Sequence, residues 1–397
     1  MNTAFRRRVS PTERMYFPMR ELAPPFLMQL EFTGSGTLDP DELRRAVEIA
    51  SVACPGARLV RVGRDWVDSG IAPAVREVAG HTLGYPRLEA DPVLTSPIGP
   101  TRDTTCEVLL LTGEPTSVIF RVFHGVMDGM GMVIWALNVF RALRGEPLRH
   151  MPDPIADREL VRRVGAPGRP TPMLPRFRAA VGHGRQGPGL PRHLLRHRTI
   201  HATGAGAVAR VAALLAAQAG TVQRIMVPVD LRRHDPDLRS TANLALPLFL
   251  DVEPGQDWTE INEAKRAGLR QRLELNQMAS SGLANLPDVL SRGVLRTTNW
   301  LGSRYGRNLA SATVSHMGRF DLDELRVSGF APRTVRVLPQ HSVAMPLLFG
   351  MVESGGRTEL TVSARNGRGV EDRLEALLAL IAATLEVELP QQDSSAA

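Results

Sequence analysis

Apolar and polar positions alternate along this chain of 397 residues in a way that yields two similar mixtures of strands and helices. Residues 116–123 are β-branched and aromatic, which favours a pleated, buried strand. Immediately downstream, Met130, Val133, Ile134, Leu137 and Phe140 fall at helical spacing, predicting an amphipathic helix that ends near Gly145. Residues 106–111 read as an antiparallel partner of 116–123 across Gly113-Glu114-Pro115. Earlier, 26–32 reads as a strand. Asp39-Pro40-Asp41-Glu42 is a helix start, with Asp39 as N-cap and Pro40 in the first helical position, and that helix runs to about Ala53. Residues 58–62 and 66–67 suggest a hairpin. Residues 1–20 read as irregular and 81–100 as loop.

The second half begins with an alanine-rich helix over 204–219 and a strand over 222–229. A polar loop leads to an apolar stretch at 243–250. Helices follow over 257–278 and 286–298, then a strand over 309–317. Three consecutive strands are expected at 334–338, 342–353 and 357–364, a closing helix over 370–386, and a polar tail. Between the halves, apolar periodicity fades and proline, glycine, arginine and histidine dominate, the signature of a linker. The expected division is therefore 1–150, a linker at 151–200, and 201–397, since a chain of this length exceeds one ordinary core. Two sheet-and-helix halves facing each other leave a cleft suited to a ligand.

Composition narrows the function. A hydrophobic fraction of 43% and a charged fraction of 22% suit a globular protein, and no run approaches a membrane span. The net charge of +7 comes almost wholly from arginines scattered among acids, with few aromatics between them. That argues against nucleic acid and suits an anionic small molecule or an acidic carrier protein. Cys54 and Cys106 have neither metal-ligand spacing nor a disulfide framework, and no signal peptide is visible, so a cytoplasmic protein is expected. The histidines of the linker (His150, His183, His193, His197, His201) match no zinc pattern and read as solvated; no metal is expected.

The candidate chemistry lies at Phe123-His124-Gly125-Val126-Met127-Asp128-Gly129, in the turn between the predicted strand and helix. Rigid elements on both sides of such a turn present its side chains to a cleft. A histidine there can accept a proton near neutral pH. The pattern alone also allows a plainer reading, in which Asp128 is a helix N-cap, His124 a half-buried ring and Gly129 a source of backbone freedom.

The chain resembles the condensation-domain and HxxxD acyltransferase superfamily, which includes the BAHD and polyketide-associated acyltransferases and shares the chloramphenicol acetyltransferase fold. The segments that carry the likeness are Thr12-Glu13-Arg14, Cys54-Pro55-Gly56-Ala57-Arg58, the motif around His124, Val229-Asp230-Leu231-Arg232-Arg233 with residues 243–248, and Ser315-His316-Met317-Gly318-Arg319-Phe320-Asp321-Leu322. Phe123 stands where many condensation domains have a first histidine, which fits the single-histidine branch. The resemblance implies an α+β sandwich of two acetyltransferase-like domains set pseudo-symmetrically around a central tunnel. It implies no bound cofactor, an acyl-CoA or phosphopantetheinyl thioester as co-substrate, and a small hydroxyl or amine acceptor. An acyl carrier protein is a possible partner, and a monomer would suffice. In this reading His124 is the general base, Asp128 pairs with Arg232 (Arg233 second), and Gly129 lets the backbone approach the reacting carbonyl. Ser315 could donate to the oxyanion, and Asn243 could position a ligand; either could instead serve only its own strand. The competing readings are a stand-alone amide-forming or cyclising enzyme and a non-catalytic docking module.

Overall fold

The structure is a computed structural model that describes residues 5–99, 104–165, 168–204, 206–280, 288–339 and 341–386. The first half runs β1 (Arg6–Arg8), α1 (Pro11–Leu22), β2 (Leu27–Gly36), α2 (Pro40–Ala53), β3 (Leu59–Val62), β4 (Asp65–Asp68), β5 (Ala74–Val78), α3 (Pro92–Thr95), β6 (Cys106–Leu111), β7 (Thr116–Phe123) and α4 (Gly129–Leu143). The remainder runs α5 (Asp157–Val164), β8 (His193–Ile200), α6 (Ala207–Ala219), β9 (Gln223–Asp230), β10 (Ala245–Val252), α7 (Trp258–Arg270), α8 (Asp288–Tyr305), β11 (Ala312–Phe320), β12 (Phe330–Leu338), β13 (Leu347–Ser354), β14 (Arg357–Arg365) and α9 (Val370–Glu386).

Two mixed sheets dominate. The first has the order β12-β2-β7-β6-β5 and the second β10-β9-β11-β13-β14-β8, while β1, β4 and β3 form a small third sheet. β7 lies between β2 and β6, and all eight of its residues are buried; its one charged residue, Arg121, is paired there with Glu107. Phe32, Phe120, Phe140 and Trp135 meet beneath it, with Phe120 edge-on to Trp135 at 5.2 Å. Full burial of each such ring is worth about 1.5–3 kcal/mol.

Four expectations need correction. Residues 1–20 are not irregular: β1 and α1 occupy most of them. Ser10 caps α1 by accepting from Glu13 N at 3.2 Å, and Glu13 Oε2 accepts from Ser10 N at 2.9 Å, a reciprocal box with Pro11 in the first turn. The helix predicted over 257–278 ends at Arg270, because Arg272 adopts φ 56° and a 3₁₀ segment follows. Within the expected linker, β8 is an edge strand of the second sheet, paired in register with β14. Its His197 is buried and bonds to Glu359 Oε2 at 2.5 Å, and His193 stacks on His341 at 4.8 Å, so neither is a solvated linker histidine. Finally, β12 leaves its neighbours in sequence and pairs with β2 of the first sheet. The expected tail and the first residues of the helix predicted from 286 lie outside the described residues.

The two sheets are joined by buried polar groups. Arg336 of β12 donates to Glu31 of β2 at 3.4 Å and lies 3.6 Å from Glu359 of β14. Cys54 and Cys106 are both free and buried. Among the described residues, no helix is long and apolar enough to cross a membrane.

Candidate active site

β7 ends at Phe123, and the next five residues turn into α4. Asp128 is indeed the N-cap: its Oδ1 accepts from Gly131 N at 2.7 Å. It also holds the second half. Arg232 Nη1 donates to Oδ2 at 3.0 Å, Arg232 Nη2 to Oδ1 at 3.2 Å, and Leu244 N to Oδ2 at 2.7 Å. The remaining Arg232 donors go to Asp230 Oδ1 (2.8 Å), Ser240 O (2.9 Å) and Ala242 O (2.9 Å). Burial works against the Arg232 charge, but Asp128 and Asp230 outweigh it and hold the guanidinium pKa above its ordinary value. Arg233 points elsewhere, 4.0 Å from Glu274.

Two glycines permit this docking. A Cβ on Gly131 would sit 2.4 Å from Thr241 O, and one on Gly129 would sit 2.8 Å from Met317 Cε. The close approach at Gly129 is thus to a side chain of β11.

His124 is half-buried. Asn243 Nδ2 donates to its backbone carbonyl at 2.6 Å and lies 3.3 Å from its Nδ1. Tyr16 of α1 stacks on the imidazole, ring centres 4.3 Å apart and 14° from parallel. Burial lowers the His124 pKa below 6.5. The carbonyls of His124 and Met127 and the charge of Asp128 push the other way without cancelling it. Burial, with the nearby carboxylates Asp157, Asp128 and Glu13, raises the Tyr16 pKa, so its hydroxyl stays neutral.

A buried ion pair braces the same turn from beneath. Arg7 Nη2 donates to Val126 O at 2.7 Å, and Arg7 Nη1 meets Glu13 Oε1 at 2.7 Å. Glu13 Oε2 also accepts from Trp66 Nε1 at 3.0 Å. Close by, Asp157 is fully buried, and burial together with the Glu13 charge raises its pKa to about 6. Sequence reasoning missed Arg7, Tyr16 and Asp157, and it singled out Glu13 only as part of the Thr12-Glu13-Arg14 segment, with no role assigned. The Ser10-to-Glu13 spacing, a capping-box signature, is the signal that could have revealed the helix there.

A cleft of about 980 Å³ opens beside this turn, lined by Phe17, Arg20, Leu27, Trp66 and Phe123 and, from the second half, Arg292. Ser315 lies on β11 two residues before Met317, its hydroxyl 3.8 Å from the Sδ of the side chain that lies against Gly129. Among the described residues, no group of three His, Cys, Asp or Glu side chains could hold a metal ion.

No family model matches this chain, and no curated protein matches it in sequence. Solved structures match it in shape. A mutant starter condensation domain of rhizomide synthetase RzmA, in complex with C8-CoA and Leu-SNAC, superposes with a TM-score of 0.61 at 16% identity, over 97% of this chain and 95% of that one. The chain has the condensation-domain fold. Polyketide synthase associated protein 5 from Mycobacterium tuberculosis superposes with a TM-score of 0.63 at 15% identity, over 98% of this chain and 99% of its own. The first condensation domain of the calcium-dependent antibiotic synthetase, in complex with a substrate analogue, gives 0.60 at 18%, over 96% of each. Within this condensation fold, the turn from His124 to Asp128 is gripped by Arg7 from the first half and by Arg232 and Asn243 from the second.

Proposed function

We propose that this chain is a condensation-type acyltransferase. It moves an acyl group from a CoA or carrier-protein thioester to a hydroxyl or amine acceptor, with His124 as general base. The observation that carries the reading is a half-buried imidazole with a depressed pKa, fixed by both halves next to a wall of the cleft. Such a ring is neutral at pH 7 and ready to accept a proton. The chemistry balances without an enzyme-bound intermediate. The acceptor heteroatom forms a bond to the thioester carbonyl carbon while its proton passes to His124. The resulting oxyanion then collapses, the C–S bond breaks, and the departing sulfur takes the proton. A positioned base contributes about 10²–10⁴-fold. The Ser315 hydroxyl, whose sulfur neighbour is a weak acceptor, is free to turn toward the oxyanion. Asp128 and Arg232 act at a distance by holding the turn, and the domain division near residues 150 and 200 belongs to the same reading. The likeness in fold to a synthetase domain solved with C8-CoA supports a thioester donor.

The test is direct. Wild-type protein is incubated with octanoyl-CoA, or with an octanoyl carrier protein, and a panel of alcohols and amines. Products are read by mass spectrometry, beside His124→Ala. Transfer by wild type and a loss of about 100-fold or more in a folded His124→Ala variant are expected. Near-normal turnover in that variant removes His124 as the base. No transfer from either donor to any acceptor overturns the reading in favour of a docking module.

A further inference from the structure

α8 turns an apolar face to solvent. Of the large apolar side chains that stand exposed among the described residues, five belong to this one element: Val289 (73% exposed), Leu290, Val294, Trp300 (55%) and Tyr305. No other helix or strand carries more than two. Ser291, Leu295 and Gly302 are buried on the opposite side, so the helix is anchored along one face and bare along the other. Such a concentration marks a surface that something covers.

The charge on this face has one sign. No Asp or Glu stands between Asp288 and Asp321, and both Arg296 and Arg304 point outward. Neither forms a salt bridge with a described residue. Arg304 instead lies 5.3 Å from the centre of the Tyr305 ring, and Trp300 meets the same ring edge-on at 5.3 Å. The patch continues past the end of the helix. Phe177 N donates to Asn308 O at 3.0 Å and Arg307 to Arg176 O at 3.3 Å, which brings the exposed Leu174, Arg176 and Arg178 alongside. That segment is also free of acids, since none occurs between Glu159 and Asp230.

This composition selects the partner, which must be apolar and anionic at once. A second copy of the same face would set arginine against arginine. Tryptophan and tyrosine, with arginines whose aliphatic stems lie on apolar surface, are the side chains that settle between lipid headgroups and acyl chains. A helix of 18 residues is roughly 27 Å long, enough to lie along such a boundary, and it is not apolar enough to cross it.

We propose that α8 docks this protein on an anionic phospholipid surface, with Leu290, Val294, Trp300 and Tyr305 set among the headgroups and Arg296 and Arg304 paired with lipid phosphates. The helix also borders the candidate site. Arg292, one turn before Arg296, lines the larger cleft and bridges to Glu21 at 2.6 Å, while Val289 lines a second cleft of about 720 Å³. On the acyl-transfer reading, an acceptor dissolved in the membrane reaches the cleft mouth directly from that surface.

The full chain is sedimented with vesicles of phosphatidylcholine containing phosphatidylglycerol, beside vesicles of phosphatidylcholine alone. The variants are Leu290→Ser with Trp300→Ser, and Arg296→Glu with Arg304→Glu. All four positions are exposed, and thermal unfolding checks the fold. Wild type is expected to bind the anionic vesicles at least about tenfold more tightly than the neutral ones, added salt to weaken binding, and each variant to lose about tenfold or more. Tryptophan emission should shift to the blue with vesicles in wild type and not in the variant lacking Trp300, since Trp66 and Trp135 are already buried. Equal binding to both vesicles, or undiminished binding in the variants, overturns the proposal. If the vesicles stay unbound while the variants lose binding to an acyl carrier protein, the face docks an acidic protein and the proposal falls. In transfer assays from octanoyl-CoA, the double arginine variant is expected to raise KM for hexadecanol carried in anionic vesicles and to leave KM for butanol in solution as it was. Equal effects on both alcohols overturn the delivery of acceptor from the membrane. Vesicle binding without any acyl transfer would leave the docking surface standing and remove the acyltransferase reading. Transfer to butanol without vesicle binding would do the reverse.

Discussion

Arg232 grips Asp128 with both terminal nitrogens, at 3.0 and 3.2 Å, across 104 residues of sequence and across the boundary between the halves. The same carboxylate caps α4 through Gly131 N. One side chain thus closes the turn locally and ties it to the other half. Removing the cation leaves a buried carboxylate without its partner. Arg232→Met is expected to lose about 3–5 kcal/mol of stability, measured by denaturant unfolding. Arg232→Lys keeps the charge but not the fork, and is expected to lose less. A loss below about 1 kcal/mol in Arg232→Met would show the pair to be incidental.

The depressed pKa of His124 sets the pH dependence of turnover. The ring must be neutral to accept a proton, so kcat/KM should rise with pH through a midpoint below 6.5 and then stay level. A profile collected from about pH 5 to pH 8 decides it. A midpoint above 7 would place the controlling ionisation on another group.

The pair of Arg7 and Glu13 bears on His124 through the Val126 carbonyl. Arg7→Met strands the Glu13 carboxylate in the core and is expected to lower stability by about 3–5 kcal/mol. Glu13→Gln retains the shape and an acceptor for Trp66, so it should fold. In that folded variant kcat is expected to fall with KM little changed, because the turn loosens while the clefts remain. An unchanged kcat would reduce the pair to a purely structural role.

Asp157 should make stability depend on pH in the opposite sense from an ordinary ion pair. Folding raises its pKa from 3.8 to about 6, so the folded state favours the protonated form. Its stabilising contribution is complete below 3.8 and is lost as pH rises through about 6. Asp157→Asn removes that penalty. The variant is expected to be more stable than wild type at pH 8, by up to roughly 3 kcal/mol, and about equal at pH 4. Thermal unfolding at the two pH values measures it; a difference independent of pH would contradict the burial argument.

What the sequence made legible follows the range of the forces involved. The strand before His124 and the helix after Asp128 are written in local periodicity, and both form. The partnership of Arg232 with Asp128 was accessible only through resemblance, since nothing local links positions so far apart. Tyr16 over His124 and Arg7 beneath Val126 are tertiary contacts between short segments with no pattern of their own. α1 was readable in principle from Ser10 and Glu13, but Pro18 inside it hid it. The early end of α7 turns on a single backbone angle at Arg272, and no residue preference announces it.

The exchange of β12 into the first sheet has a practical consequence. A gene cut between residues 165 and 190 would yield an amino-terminal fragment whose β2 has lost its outer neighbour, exposing a row of bare amide and carbonyl groups along that strand. Such a margin invites aggregation. The two pieces should be insoluble when produced apart and soluble when produced in the same cell, where the carboxy-terminal piece can deliver the missing ribbon.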